Sequence, residues 1–117
     1  MITIKETKEK ISADERWWKI YFYDFVDDFR FHKNIEAVSE PFDFDCNNFD
    51  ALLASTVEAL CKEMKLETLD WTKNVLPCEK PFFVAGFENL KATAIVESPL
   101  QFRIRKVFVT SNFLQRV

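Results

Sequence analysis

Apolar residues recur at helical spacing through much of the chain, most clearly between Asn47 and about Lys65. The apolar positions of this segment recur at i, i+3 and i+4, the spacing of a helix with one buried face. They are Phe49, Leu52, Leu53, Val57, Leu60 and Met64. Asn47 or Asn48 can cap the N-terminus by accepting a backbone amide hydrogen. The pattern predicts a well-defined helix over 47–65.

Two further helices are predicted near the N-terminus. Residues 3–6 (Thr-Ile-Lys-Glu) and 12–15 (Ser-Ala-Asp-Glu) both match the capping-box pattern. They predict a short helix over 4–11 and a longer one over 13–31. The longer helix carries an apolar stripe made of Trp18, Phe22, Phe25, Val26 and Phe29, widened by Trp17, Ile20 and Tyr21. We expect so broad a stripe to pack against more than one neighbour.

Between residues 32 and 47 the helical spacing fails, and we predict one long irregular loop. Residues 41–45 alternate aromatic and acidic side chains, and Phe42 and Phe44 have no obvious core to join. Structureless connections of this length are uncommon in small domains. The loop is therefore either a segment that binds a partner or an element that the pattern does not reveal.

The C-terminal region begins with a helical pattern that opens at Phe87. The Glu-Ser-Pro sequence ends it, because the residue before a proline is pushed away from helical conformation. Ser98 is then expected to cap a short helix over 99–106. Residues 102–105 also alternate as a strand would, so a strand stays open as the alternative. Residues 107–109 are predicted to be extended and buried.

Composition favours one helical domain. The chain has 117 residues, of which 48% are hydrophobic, with only one glycine and four prolines. Many tight turns would need more of both. We therefore predict an all-α fold, a single compact domain over 1–117 with four to six helices and the 32–47 loop. The N-terminus lacks a signal-peptide pattern and no long apolar run is visible, so we expect a cytoplasmic protein.

The sequence offers little catalytic chemistry. Cys46, Cys61 and Cys78 form no metal-binding spacing, and we expect buried, inert thiols. His32 is the only histidine, with no nucleophile or base at a recognisable distance along the chain. We therefore expect no catalytic residue, no metal site, no cofactor and no enzymatic activity.

Charge is unevenly distributed and suggests two surfaces. Residues 1–60 hold seven Lys/Arg and thirteen Asp/Glu, whereas 61–117 hold nine and six. The first half includes an acidic helical cluster: Asp24, Asp27 and Asp28. The second half includes a basic cluster: Arg103, Arg105, Lys106 and Arg116. The acidic cluster is either a solvated face or a patch that faces a partner. The basic cluster either pairs with the acidic N-terminal helix inside the fold or contacts a protein or phosphates.

The C-terminal segment also resembles the end of a group of small bacterial proteins. The shared pattern is a helix, then Glu-Ser-Pro, Phe-Arg-x-Arg and a Phe-Val segment. Its residues here are Glu97, Ser98, Pro99, Phe102, Arg103, Arg105, Phe108 and Val109. Proteins of this kind are often encoded beside nucleotidyltransferase-like toxins, so the resemblance implies an antitoxin-like component. It covers about the last 35 residues and implies no catalytic residues.

Taken with the resemblance, the sequence predicts a bacterial protein-interaction module whose partner is another protein, with a nucleotidyltransferase-like toxin as one candidate. The contact residues would be Arg103, Arg105, Lys106, Asp24, Asp27, Asp28, Phe42 and Phe44. The alternative is a small nucleic-acid-binding regulator that uses the basic C-terminal segment. That alternative predicts Arg103 and Arg105 side by side on a solvent-exposed basic face.

Overall fold

Helices dominate the structure, a computed structural model that describes residues 1–45, 47–67, 69–84, 95, 97–110 and 113–114. The predicted all-α class is confirmed. The helices are α1 (Ile4–Ala13), α2 (Trp18–His32), α3 (Glu36–Ser39), α4 (Asn48–Glu63) and α5 (Leu100–Arg103). Two 3-10 turns lie at Glu15–Trp17 and Asp70–Asn74. Two short strands, β1 (Phe82–Phe83) and β2 (Val107–Phe108), pair in parallel.

The caps predicted for the first helix and for the 47–65 helix are both present. The Thr3 hydroxyl accepts the Glu6 amide at 3.1 Å and begins α1. The Asn47 carboxamide oxygen accepts the amides of Phe49 and Asp50 at 3.0 and 3.1 Å and begins α4. Each cap satisfies amide donors that the first helical turn leaves without an intrahelical partner.

The start of α2 differs from the prediction. Ser12 does not cap it, because α1 continues through Ser12 to Ala13 and stops at Asp14. The 3-10 turn at Glu15–Trp17 then redirects the chain, and α2 begins only at Trp18. The capping-box pattern at 12–15 was therefore a wrong guide. Ile11, the predicted last residue of α1, is fully buried, and two exposed residues follow it before the helix ends.

The core forms where α1, α2 and α4 meet, with α4 also contacting α5, β2 and the Asp70–Asn74 turn. Helix α2 contributes a narrow aromatic face: Phe22, Phe25, Val26 and Phe29 are fully buried. Helix α4 contributes Leu52, Leu53, Val57 and Leu60. Trp17 and Ile20 were predicted to widen the apolar stripe of α2, but both are exposed. The buried face is thus narrower than the sequence suggested.

The predicted 32–47 loop contains a short helix, α3, which the sequence pattern did not reveal. Ala37 and Val38 of α3 are buried in the common core. The indole nitrogen of Trp71 donates to the Val38 carbonyl at 2.9 Å. Four helical residues are too few to display a period of 3.6, which explains why the pattern missed the element.

The C-terminal segment forms a helix and not the alternative strand. This helix, α5, is shorter than the predicted 99–106. Ser98 does not cap it. Its hydroxyl accepts the Val109 amide at 2.8 Å and donates to the Val109 carbonyl at 3.0 Å. Val107 and Val109 are buried, as predicted for the extended segment. The helix expected from Phe87 lies mainly outside the described residues, as does Arg116.

Candidate functional site

The outer side of α2 presents apolar and acidic side chains to solvent. Five residues spaced three or four apart lie opposite the buried aromatic face and are exposed. They are Trp17, Ile20, Asp24, Asp27 and Phe31, which we call the acidic face. Phe31 is 82% exposed, although the fully buried Phe29 is only two residues away. Exposed large apolar groups clustered with charges are typical of interaction surfaces.

The predicted acidic trio is divided by the structure. Asp24 and Asp27 belong to the acidic face, whereas Asp28 is half-buried and faces the N-terminal segment. The Asp28 carboxylate accepts the Ile2 amide at 2.7 Å and lies 3.4 Å from His32 Nε2. Asp28 and His32 therefore help to hold residue 2 against α2. Asp28 thus makes contacts within the fold and does not belong to the acidic face.

Arg105 does not lie on the surface, contrary to its predicted place in an exposed basic cluster. It is 4% exposed, and its guanidinium contacts the Glu58 carboxylate at 2.6 and 3.0 Å. It also donates to the Thr72 carbonyl at 2.7 Å. Burial alone would raise the pKa of Glu58, but hydrogen bonds from Arg105 and Thr72 outweigh it and leave that pKa below its ordinary value. One residue of the predicted basic cluster, Arg105, is thus paired inside the fold.

Arg103 and Lys106 remain exposed. The Arg103 guanidinium donates to the Ser98 carbonyl at 3.0 Å, and Lys106 lies in the turn that follows α5. Two apolar residues of the same segment, Leu100 and Ile104, are 67% and 56% exposed. Arg103 and Ile104 follow Leu100 by three and four residues, and Lys106 lies in the turn that follows. We call these four exposed residues the basic face. Its combination of apolar and charged groups mirrors that of the acidic face with opposite sign.

The two loop phenylalanines have different positions. Phe42 is 3% exposed and joins the core, with its ring 5.4 Å from that of Trp71. This corrects the expectation that it had no core to join, and a buried ring is not available to a partner. Phe44 is 42% exposed and lies against the Phe42 ring at 5.4 Å. Of the predicted pair, only Phe44 presents part of its ring to solvent.

A buried charge cluster that the sequence did not indicate fixes the same loop. The Lys8 ammonium group, on α1, pairs with the Asp50 carboxylate on α4, and both side chains are buried. Lys8 also donates to the Asp43 carbonyl at 3.0 Å and contacts the Asp45 carboxylate at 2.9 Å. Asp50 in turn accepts the Asp45 amide at 2.6 Å. The cluster ties the loop to two helices.

A cavity of about 400 Å³ lies beside this cluster, and its lining includes Phe44, Asp50, Leu76 and Cys78. Cys61 and Cys78 are free, buried thiols, as predicted for them, and Cys46 lies outside the described residues. Burial raises the pKa of both thiols above its ordinary value. Protonated, buried thiols are poor nucleophiles and poor metal ligands.

The described part of the chain contains neither a metal-binding cluster nor a membrane-spanning helix. Its histidine, cysteine, aspartate and glutamate side chains form no group of three or more that could hold a metal ion. Among the same residues, no helix is both long enough and apolar enough to cross a bilayer.

No protein-family model, curated protein or solved structure matches this chain.

Proposed function

We propose that the protein is a non-catalytic interaction module that binds a partner protein through the acidic face of α2. The exposure of Phe31 is the main support for this proposal: most of its surface lies in water, on the same side of α2 as Asp24 and Asp27. Burying an aromatic side chain of this kind against a partner is worth about 1.5–3 kcal/mol. Aromatic anchors surrounded by charged rims are typical of energetically important contacts.

The same surface defines the chemistry of the partner. Two carboxylates between apolar groups fit a segment that carries lysine or arginine among apolar side chains. Charge pairs at such a rim guide association and orientation, whereas the apolar groups supply most of the affinity. The partner proposed here is therefore a protein with a basic, amphipathic binding segment.

The C-terminal resemblance adds one specific candidate for this partner, a nucleotidyltransferase-like toxin. In that case the protein would act as an antitoxin-like component. Expressing this protein together with a toxin encoded beside its gene should then relieve the growth inhibition that the toxin causes. The relief should depend on Ile20 and Phe31 if the acidic face is the binding surface.

Nucleic-acid binding is the weaker candidate. It predicted Arg103 and Arg105 side by side in solvent, but the Arg105 guanidinium is buried against Glu58. That pairing leaves a smaller basic surface for phosphate contacts. A protein that neutralised several phosphates would show affinity for DNA that falls steeply with salt concentration.

The test compares partner capture by matched variants. The chain is immobilised, exposed to host lysate treated with nuclease, and the bound proteins are quantified. Ile20→Asp with Phe31→Asp should abolish capture of a stoichiometric partner, because it places charge at both apolar anchors. Glu9→Lys with Glu67→Lys, which changes exposed acids on other parts of the surface, should retain it. Equal capture by wild type and the Ile20/Phe31 variant would refute the proposal.

A further inference from the structure

The chain itself carries a surface with the chemistry that the acidic face requires. The basic face combines two exposed apolar side chains, Leu100 and Ile104, with the cations Arg103 and Lys106. The acidic face combines three exposed apolar side chains with two carboxylates. Each surface thus offers what the other needs: an apolar contact with opposite charge beside it.

The two faces belong to neighbouring elements. Phe22 on α2 and Phe102 on α5 both contact the ring of Phe113, with centroid separations of 5.3 and 6.1 Å. Phe22 and Phe102 are fully buried, so their helices turn inner sides toward this shared aromatic group. The packing fixes α2 and α5 relative to each other and leaves Phe31 and Leu100 on their outer sides.

We propose that the acidic face of one copy binds the basic face of a second copy. The contact joins two different surfaces, so the pairing is head-to-tail: each copy can offer its acidic face to one neighbour and its basic face to another. Asp24 and Asp27 then oppose Arg103 and Lys106, while Phe31 and Ile20 bury apolar area against Leu100 and Ile104. This inference rests on the proposed function, since it assigns a second copy to the surface that a partner would otherwise occupy.

Self-association of this kind would also regulate access to the acidic face. A partner with a basic, amphipathic segment would compete with the second copy for the same residues. Partner binding would then convert the assembly to a one-to-one complex. Two apolar surfaces of opposite charge would in this way be covered in the absence of the partner.

The test is a charge-exchange experiment monitored by sedimentation velocity at rising protein concentration. Wild type is expected to associate. Asp24→Lys with Asp27→Lys, or Arg103→Glu with Lys106→Glu, should each weaken association about tenfold or more, because like charges then oppose one another. Mixing these two variants, or combining all four changes in one chain, should restore association. Glu9→Lys with Glu67→Lys should behave as wild type.

The outcomes separate this inference from the proposed function. A wild-type chain that stays monomeric, or double variants that do not regain association when mixed, would overturn the second-copy proposal. If the chain is monomeric but Ile20→Asp with Phe31→Asp still abolishes partner capture, the proposed function stands alone. Circular dichroism of each variant establishes that it remains folded, so that loss of association reflects the surface.

Discussion

Arg105 and Glu58 form an ion pair that joins the C-terminal segment to the central helix α4. The Arg105 Nη1 to Glu58 Oε1 distance is 2.6 Å, and the two residues are 47 positions apart in the chain. Thr72 completes the site, since its hydroxyl donates to Glu58 at 2.8 Å and its carbonyl accepts from Arg105. One basic residue of the predicted binding cluster therefore has a structural partner within the fold.

Replacing Arg105 should destabilise the protein strongly. Arg105→Met removes the cation and leaves Glu58 largely buried without its ion-pair partner. Breaking one member of a buried pair typically costs about 3–5 kcal/mol, and some solvent access to Glu58 favours the lower value. The free energy of unfolding, measured by urea titration, should fall accordingly.

Arg103→Met is the matched control for this change. Arg103 lies two residues away and is exposed, so its replacement should alter the free energy of unfolding by about 0.5 kcal/mol or less. If both variants lowered the free energy of unfolding equally, Arg105 would not be the arginine that stabilises the fold.

The Glu58 carboxylate should make stability depend on pH in the acidic range. Its folded-state pKa lies below the ordinary value of 4.5. The unfolded state therefore binds a proton first as the pH falls. The stabilisation is fully present above about pH 4.5 and is lost as the pH drops through the folded-state pKa.

Glu58→Gln provides the comparison, because glutamine does not titrate. The difference in unfolding free energy between wild type and Glu58→Gln should favour wild type at neutral pH. It should narrow steadily below about pH 4.5, as measured by urea titration at a series of pH values. A difference that stays constant across this range would contradict the assignment.

Lys8 and Asp50 should show energetic coupling in a double-mutant cycle. Lys8→Met leaves the Asp50 carboxylate buried without its cation, and Asp50→Asn leaves the Lys8 ammonium group with a weaker partner. Lys8→Met should cost about 3 kcal/mol, and Asp50→Asn should cost less, because Lys8 keeps its contact with the Asp45 carboxylate. Lys8→Met with Asp50→Asn should cost less than the sum, because no uncompensated buried charge remains. Strict additivity in urea unfolding would argue against a direct interaction.

The strongest sequence signals corresponded to real elements. Helix α4 carries both a regular apolar period and a cap residue, and α1 carries the Thr3 cap. A cap is a local contact, so the sequence displays it directly. The ends of α2 and α4 lie within two residues of the predicted positions, 31 and 65, although no glycine marks either end. Lys33 and Lys65 adopt left-handed backbone conformations with φ of 51° and 57°. Glycine usually marks such positions, so lysine there gives no visible end signal.

The ion pairs could not be read from the chain for a different reason. Lys8 and Asp50 are 42 residues apart, and Glu58 and Arg105 are 47 apart. Only packing of the helices brings such residues together, and nothing local distinguishes Lys8 from an exposed lysine of α1. Phe42 was similarly misplaced, because its aromatic neighbour Trp71 comes from a distant turn.

Two phenylalanines on α2 differ in exposure, and comparing their variants tests whether the acidic face binds a partner. Phe29 and Phe31 are two residues apart, but Phe29 is fully buried and Phe31 is 82% exposed. Phe29→Ala should lower the free energy of unfolding by about 3–5 kcal/mol, because it opens a cavity in the core. Phe31→Ala should change it by about 0.5 kcal/mol or less.

Binding should depend on Phe31 even though the free energy of unfolding does not. Phe31→Ala should weaken partner capture and self-association while leaving urea unfolding nearly unchanged, since its ring contributes to contacts outside the fold. Asp70→Ala, at an exposed position away from α2, should leave binding intact. If Phe31→Ala proves as destabilising as Phe29→Ala, Phe31 packs within the fold and cannot anchor a partner.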